Sequence, residues 1–171
     1  MAERKKIILF IVEGITDKTC LGYVLSKIIN TNRVEFAITG GDITTKRGIN
    51  SGNVSSEIGN IIREFSGKIF KAKDFCEIVH LVDTDGAYVE DNRLNLKTPE
   101  TPVDPHDLRK LYYTDDNIFV NDLRDTQQRN LQKTSILNRL ISLNKVWVTI
   151  PYSMYFFSCN YAIFRRNLLL H

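Results

Sequence analysis

Continuous apolar runs alternate with helical patterns along the chain, and this alternation limits the possible fold more than any other feature. Residues 6–12 (KIILFIV) and residues 77–82 (EIVHLV) are apolar without a break, which is typical of strands buried on both faces of a parallel sheet. Residues 16–29 lie between them and carry apolar side chains at helical spacing. Strands that alternate with helices form right-handed βαβ units. We therefore predict an α/β fold with a mostly parallel central sheet flanked by helices.

The remaining elements continue this alternation. Residues 88–102 are polar and contain Pro99, which is typical of an excursion over the surface. The expected domain spans residues 1–150, and residues 151–171 form an aromatic and basic tail docked on it. The pattern predicts further strands over residues 33–39, 118–120 and 145–151, and helices over residues 54–65, 104–112 and 127–143.

The apolar positions of each helix predict which side chains reach the core. In the helix over residues 54–65 they align on one face, from Val54 to Phe65. The expected core contacts of the first helix are Cys20, Leu21, Val24, Leu25, Ile28 and Ile29, and those of the last are Leu131, Leu137, Leu140 and Ile141.

Composition indicates an ordinary soluble protein. The 171 residues are 43% hydrophobic and 25% charged, with a net charge of +3, which neither requires nor excludes a nucleic-acid partner. Cys20, Cys76 and Cys159 form no CxxC pair, so we expect free buried thiols rather than a zinc site or a disulfide framework. The first apolar run is too short for a signal core, and no run approaches the ~20 residues of a membrane span. We expect a cytoplasmic protein without a membrane partner.

Acidic residues follow two of the predicted strands directly. Glu13 ends the first strand, and Asp83 and Asp85 end the third. Ligands bind outside the carboxyl ends of parallel strands, and carboxylates that converge there repel each other unless a cation lies between them. Neutralising any one of them would then relieve repulsion in the metal-free protein. Carboxylate oxygens suit Mg²⁺ or Mn²⁺, so the sequence predicts a site for one of these ions. Asp17 is either a fourth ligand or a first-turn anion worth ~0.3–1 kcal/mol to the helix.

These motifs resemble those of the TOPRIM domain. The matching segments are IVEGITD at residues 11–17 and LVDTDG at residues 81–86, and the resemblance covers about residues 6–90. The Glu-Gly-x-x-Asp variant is most similar to the nucleases of the OLD (overcoming-lysogenisation-defect) family and to related TOPRIM proteins of phage defence. The resemblance implies a Rossmann-like TOPRIM fold and a metal-dependent nuclease that cleaves phosphodiesters of DNA or RNA.

The resemblance also assigns roles to individual residues. Glu13 would be a general acid/base or a metal ligand, Asp83 and Asp85 would hold Mg²⁺, and Asp17 would help hold a second ion. The chain has no zinc module, and it lacks the GxxxxGK[ST] motif of the ATPase domain that OLD proteins carry. We therefore expect a stand-alone TOPRIM domain, free to oligomerise, or one that works with a separate ATPase or regulatory protein.

Several further residues are candidate contacts to phosphate or nucleic acid, each with a plainer alternative. Backbone amides at Gly14, Gly40 and Gly41 follow strands at the same sheet edge, although a simple turn explains these glycines equally well. Basic side chains on a polar loop and on the last helix could contact the phosphate backbone, or could simply be solvated. These are Lys46, Arg47, Arg124, Arg129 and Lys133.

Two other classes of protein fit parts of the pattern. A haloacid-dehalogenase-like phosphatase would explain VDTDG at residues 82–86, but it leaves Glu13-Gly14 unexplained and needs a later Lys and acidic pair after strands. An EF-hand calcium loop needs its Gly at another offset. A non-catalytic module that binds nucleic acid or a partner protein, and keeps the acids for a structural metal, remains the main alternative to a nuclease.

Overall fold

The computed structural model describes residues 6–29, 34–40, 43–101, 111–113, 117–147 and 149–157, and for residues 15–18, 34–40, 111–113 and 157 it describes the backbone alone. The chain divides into two compact units. Within the described residues, the first contains the chain up to Asp83 and again from Ser135 to Phe157, and the second contains Thr84–Thr134. The sequence had predicted one domain with a tail.

The described elements alternate between strands and helices, as the sequence predicts. Short 3₁₀ turns at Ala72–Asp74 and Asp91–Arg93 precede two of the strands. In chain order the elements are β1 (Lys6–Val12), α1 (Ile15–Ile28), β2 (Val34–Gly40), α2 (Val54–Ser66), β3 (Phe75–Asp83), β4 (Leu94–Leu96), β5 (Leu111–Tyr113), β6 (Ile118–Val120), α3 (Leu123–Ile141), β7 (Lys145–Val146) and β8 (Ile150–Phe157).

The first unit is built on a five-stranded sheet in the order β2-β1-β3-β8-β7. β1 runs parallel to both β2 and β3, β3 runs parallel to β8, and β7 is antiparallel to β8. The prediction of an α/β fold with a mostly parallel sheet is confirmed. β1 lies at the centre because its side chains are apolar on both faces, and five of its seven residues are buried.

One face of this sheet carries the main core. Alternate residues of β1 point to it, and α2 covers it with Val54, Ile58 and Ile62, at the spacing that the sequence predicts. The last turns of α3 add Ile136 and Leu140 to the same cluster. β3 is buried on this face only: Glu77, Val79 and Leu81 on its other face are half-exposed. The sequence had predicted burial on both faces of this strand.

The second unit has its own small sheet. β4 pairs parallel with β6, and β5 pairs antiparallel with β6. Leu94, Ile118 and Val120 are its buried apolar residues, with Val89 and Leu123 packed against them. The part of α3 in this unit buries polar side chains instead, at Thr126, Asn130 and Lys133.

Several local predictions are corrected. The segment from 151 to 157, assigned to a tail, forms most of β8 in the central sheet, and residues 158–171 lie outside the described residues. Leu111–Tyr113, assigned to the end of a helix, forms β5, while the rest of that helix lies outside the described part. α3 begins at Leu123, four residues before the predicted start.

The predicted core contacts of two helices are only partly correct. In α1 the apolar residues form two adjacent columns, and the column of Leu21, Leu25 and Ile29 is half-buried while Val24 and Ile28 are exposed. In α3, Leu137 and Leu140 are buried, as predicted. Leu131 and Ile141 are exposed, because the face that α3 buries follows Asn130, Lys133, Leu137 and Leu140 instead.

The thiols also differ from expectation. Cys20 on α1 and Cys76 on β3 are exposed free cysteines, and Cys159 lies outside the described residues. Cys76 occupies the second position of β3, where the strand's pairing with β1 is irregular, between Phe75 and Glu77. None of the described helices has the length and apolarity needed to cross a membrane.

Candidate metal centre

Glu13 and Asp83 lie side by side at the carboxyl ends of β1 and β3. The two strands are parallel neighbours, and their register pairs Val12 with Leu81, so the residues that follow meet at the same sheet edge. The backbone N–H of Asp83 donates a hydrogen bond to Oε2 of Glu13 at 3.2 Å. The structure therefore brings together Glu13 and Asp83, one acid from the end of each strand.

A third residue of the first unit fixes the Glu13 carboxylate. The hydroxyl of Thr44 donates to Oε1 of Glu13 at 2.9 Å, and Thr44 is 1% exposed. Thr44 is held in place because Ile43 and Ile49, which bracket it in the chain, are both buried in the core. The sequence had placed Lys46 and Arg47 on a polar loop and did not predict this contact of Thr44. The isoleucines that bracket the polar residues were the available signal.

Asp85 lies in a tight turn in the second unit. Its φ is 47°, in the left-handed region that side chains other than glycine rarely adopt, and Gly86 follows with a φ of 143°. The carbonyl of Thr84 accepts hydrogen bonds from the N–H groups of Gly86 and Ala87, both at 2.7 Å. Tyr88 is again left-handed, with a φ of 64°. Such strain persists only where the surroundings over-determine the backbone.

α3 supplies those surroundings. Nζ of Lys133 donates to Oδ2 of Asp85 at 3.1 Å, and the hydroxyl oxygen of Thr134 accepts from the N–H of Tyr88 at 3.1 Å. A Cβ on Gly86 would stand 3.0 Å from Oδ1 of Asn130, so the helix approaches the turn closely there. These three helix residues follow the i, i+3, i+4 spacing that places side chains on one face of a helix.

The Lys133–Asp85 ion pair is unevenly buried. The Lys133 side chain is 3% exposed, whereas the Asp85 side chain is 44% exposed. From the sequence, Lys133 was only a candidate contact to the phosphate backbone of a nucleic acid. The detectable signal was periodicity, because the buried stripe of Leu137 and Leu140 continues toward the N-terminus through polar Asn130 and Lys133.

Oxygen ligands of the kind that a hard divalent cation takes are present in each unit. Glu13 and Asp83 of the first unit offer carboxylates beside the Thr44 hydroxyl, and Asp85 of the second unit offers a carboxylate. This is the ligand chemistry of Mg²⁺ or Mn²⁺ rather than of zinc. The ammonium of Lys133 shows that the Asp85 carboxylate accepts a cation. Among the described residues, no group of three or more His, Cys, Asp or Glu side chains is arranged to share an ion. The Asp17 side chain lies outside the described atoms, although its backbone belongs to the first turn of α1.

The candidate phosphate contacts fall at different places. Gly14 lies between β1 and α1, and Gly40 is the last residue of β2, while Gly41 lies outside the described residues. Lys46 is paired with Glu57 of α2, and this hydrogen bond is the main reason why the pKa of the Glu57 carboxyl is lowered, with a smaller effect from the Asn60 amide. The loop side chain of Lys46 is therefore partly committed to another contact.

Two arginines differ in their surroundings. Arg47 is exposed on the loop between β2 and α2, where its charge meets solvent. Arg129 lies on α3, and its Nη2 is buried without an acceptor among the residues that the structure describes. Arg124, in the first turn of α3, is exposed like Arg47, so both positions suit an accessible phosphate backbone.

His80 serves the interior of the first unit. It is completely buried in β3, and its Nδ1 lies 2.8 Å from the hydroxyl oxygen of Tyr152 on β8. Burial raises the pKa of the Tyr152 hydroxyl above its ordinary value. The pair joins two neighbouring strands inside the core.

Comparison with known protein families, with characterised proteins and with solved structures found no match to this chain. The resemblance to TOPRIM domains therefore depends on the sequence motifs alone.

Proposed function

We propose that this protein is a divalent-metal-dependent nuclease of the TOPRIM type that hydrolyses nucleic-acid phosphodiesters. The observation that supports this most is the hydrogen bond from the Asp83 N–H to the Glu13 carboxylate across the carboxyl ends of two central parallel strands. Open α/β sheets bind their ligands at this place. The proposed ion is Mg²⁺ or Mn²⁺, held by Glu13, Asp83 and Asp85, with Asp17 as a further candidate ligand.

The Glu13 carboxylate is well suited to act on a proton or to bind a cation. Thr44 and the Asp83 amide each donate to a different oxygen, so the carboxylate keeps one orientation. A carboxylate fixed in this way can accept the proton of an attacking water, provided that the scissile phosphate lies within hydrogen-bonding reach. A bound divalent ion would supply charge neutralisation at the phosphate.

Charge and exposure suggest where the substrate would be held. The net charge of +3 is modest, so attraction to a phosphate backbone has to come from local positions such as exposed Arg47. Gly14, Gly40 and Gly41 offer backbone amides at strand ends, and Lys46 and Arg129 are weaker candidates. We further propose that the protein works in the cytoplasm, as a phage-defence or phage-related effector with a separate ATPase or regulatory partner.

A second candidate is a non-catalytic module that binds nucleic acid or a partner protein. The specific observation in its favour is that Asp85 already has a cation at contact distance, the ammonium of Lys133. In such a module the ion pair would replace the metal at this carboxylate, and the fold would serve recognition only. Metal-dependent cleavage separates the two candidates.

The test is a cleavage assay with purified protein on plasmid, single-stranded DNA and tRNA, in Mn²⁺, Mg²⁺ or EDTA. Asp83→Asn is the inactivating variant, because it removes the carboxylate but keeps the backbone N–H that binds Glu13. Glu64→Gln is the matched control, because it removes one carboxylate at an exposed position of α2.

We expect cleavage that needs the metal, falls by at least about a hundredfold in Asp83→Asn and is unchanged in Glu64→Gln. Equal cleavage by the wild type and Asp83→Asn would show that the site is wrongly assigned. An inactive wild type on all three substrates would favour the binding module.

A further inference from the structure

The turn that carries Asp85 is held in place by α3, and one of the holding groups is a buried cation. Asn130 packs against Gly86, Thr134 binds the Tyr88 amide, and Lys133 binds Asp85. The first two contacts involve uncharged groups and only restrict the backbone. The third places a full positive charge on a carboxylate that the motif offers to a divalent ion.

The exposures of the two partners show which of them can change its contact. The Lys133 side chain is 3% exposed, so the ammonium is largely removed from water and its ion pair with Asp85 lies at the edge of a buried site. The Asp85 side chain is 44% exposed and remains accessible to an ion from solution. A divalent ion that approaches Asp85 therefore meets an oxygen whose negative charge is already partly neutralised at 3.1 Å.

We propose that Lys133 is a tethered competitor of the divalent ion: it occupies Asp85 when no metal is bound and thereby lowers the metal affinity of the site. This inference rests on the proposed function, because it takes Asp85 as a metal ligand. Lys133 is a positioning residue here, since it acts through Asp85. Its effect is to raise the metal concentration at which the site fills, without changing which atoms bind the ion.

Competition by Lys133 and a purely structural role of Lys133 predict opposite changes in metal affinity when the side chain is removed. Removing a group that only holds the turn would disorder Asp85 and weaken metal binding. Removing a competitor strengthens it, by at least about tenfold, because a unit charge at contact distance in a partly desolvated site shifts a binding equilibrium by one or more powers of ten.

The experiment is titration of the full chain with Mn²⁺ alone by isothermal calorimetry, for the wild type, Lys133→Met and Lys133→Arg. Arg139→Met is the matched control, because it removes one positive charge from an exposed position of the same helix. We expect Lys133→Met to bind Mn²⁺ at least about tenfold more tightly, while Lys133→Arg stays near the wild type and Arg139→Met changes less than about twofold because solvent screens its charge.

The other outcomes are equally decisive. A wild type that binds Mn²⁺, together with a Lys133→Met variant that binds equally or more weakly, overturns the competition and leaves the proposed metal site standing. No Mn²⁺ binding by either protein overturns both proposals. Lys133→Gln is the second variant if Lys133→Met does not fold, and failure of both to give a cooperative melt would show that Lys133 is structural and would also overturn the competition.

Discussion

Neutralising Asp85 should destabilise the protein, whereas neutralising its partner Lys133 should cost much less. Asp85→Asn takes away the carboxylate that pairs with the ammonium of Lys133, whose side chain is 3% exposed. Breaking a fully buried pair costs about 3–5 kcal/mol, and because the Asp85 side chain is 44% exposed we expect about 2–3 kcal/mol here. Lys133→Met instead leaves a carboxylate that water can solvate, for which we expect under about 1 kcal/mol.

Because Lys133 is buried and Asp85 is partly exposed, neutralising Asp85 should destabilise the metal-free protein, the opposite of what the sequence predicted. Three carboxylates that repel each other predict that neutralising any of them stabilises the metal-free protein. The ion pair with Lys133 makes Asp85 the exception. Asp83→Asn leaves this ion pair intact and keeps the backbone N–H that binds Glu13. Asp83→Asn is for this reason the cleaner variant for functional assays.

The assay is thermal and urea unfolding of Asp85→Asn, Lys133→Met and the double variant in EDTA. A loss of 2–3 kcal/mol corresponds to a fall in Tm of about 4–12 °C for a chain of this size. We expect the double variant to be more stable than Asp85→Asn alone, because removing the ammonium also removes the buried charge that has lost its carboxylate partner. Equal losses in both single variants, or a double variant that simply adds them, would refute the reasoning from unequal burial.

Two further predictions concern other contacts. Tyr152→Phe removes the hydroxyl that bonds buried His80 and should cost about 1–3 kcal/mol, measured as a lower urea midpoint; an unchanged midpoint would contradict a stabilising contact. Arg47→Ala should reduce the slope of nucleic-acid affinity against salt concentration by about one phosphate contact. Lys46→Ala should reduce this slope by less, because Lys46 is paired with Glu57. Equal slopes for the two variants in a binding titration would contradict this ranking.

The sequence predicts the first unit's architecture well because its signals are strong and local. β1 is a continuous apolar run, and α2 has a clean apolar stripe, so both are found within a residue or two. It also predicts that Glu13 and Asp83 meet, since parallel neighbours in a βαβ unit end at the same edge.

The sequence is less informative where tertiary contacts decide the outcome. An aromatic segment at 152–157 has no polar alternation and was taken for a tail, yet it pairs with β3 along six residues. Burial of Lys133 contradicts the usual exposure of lysine, and it is accompanied by an ion pair with Asp85, a residue 48 positions away in the sequence. The contact of Thr44 with Glu13 joins residues 31 positions apart, which no local pattern encodes.

The two surface thiols affect how the assembly state of this protein has to be measured. Cys20 and Cys76 are accessible without unfolding, so air oxidation can join two molecules through sulfur. A dimer that disappears on adding reductant would then report disulfide chemistry and not an interface. Sizing experiments, and the Mn²⁺ titrations as well, therefore belong in a phosphine reductant or on a chain with both residues changed to serine.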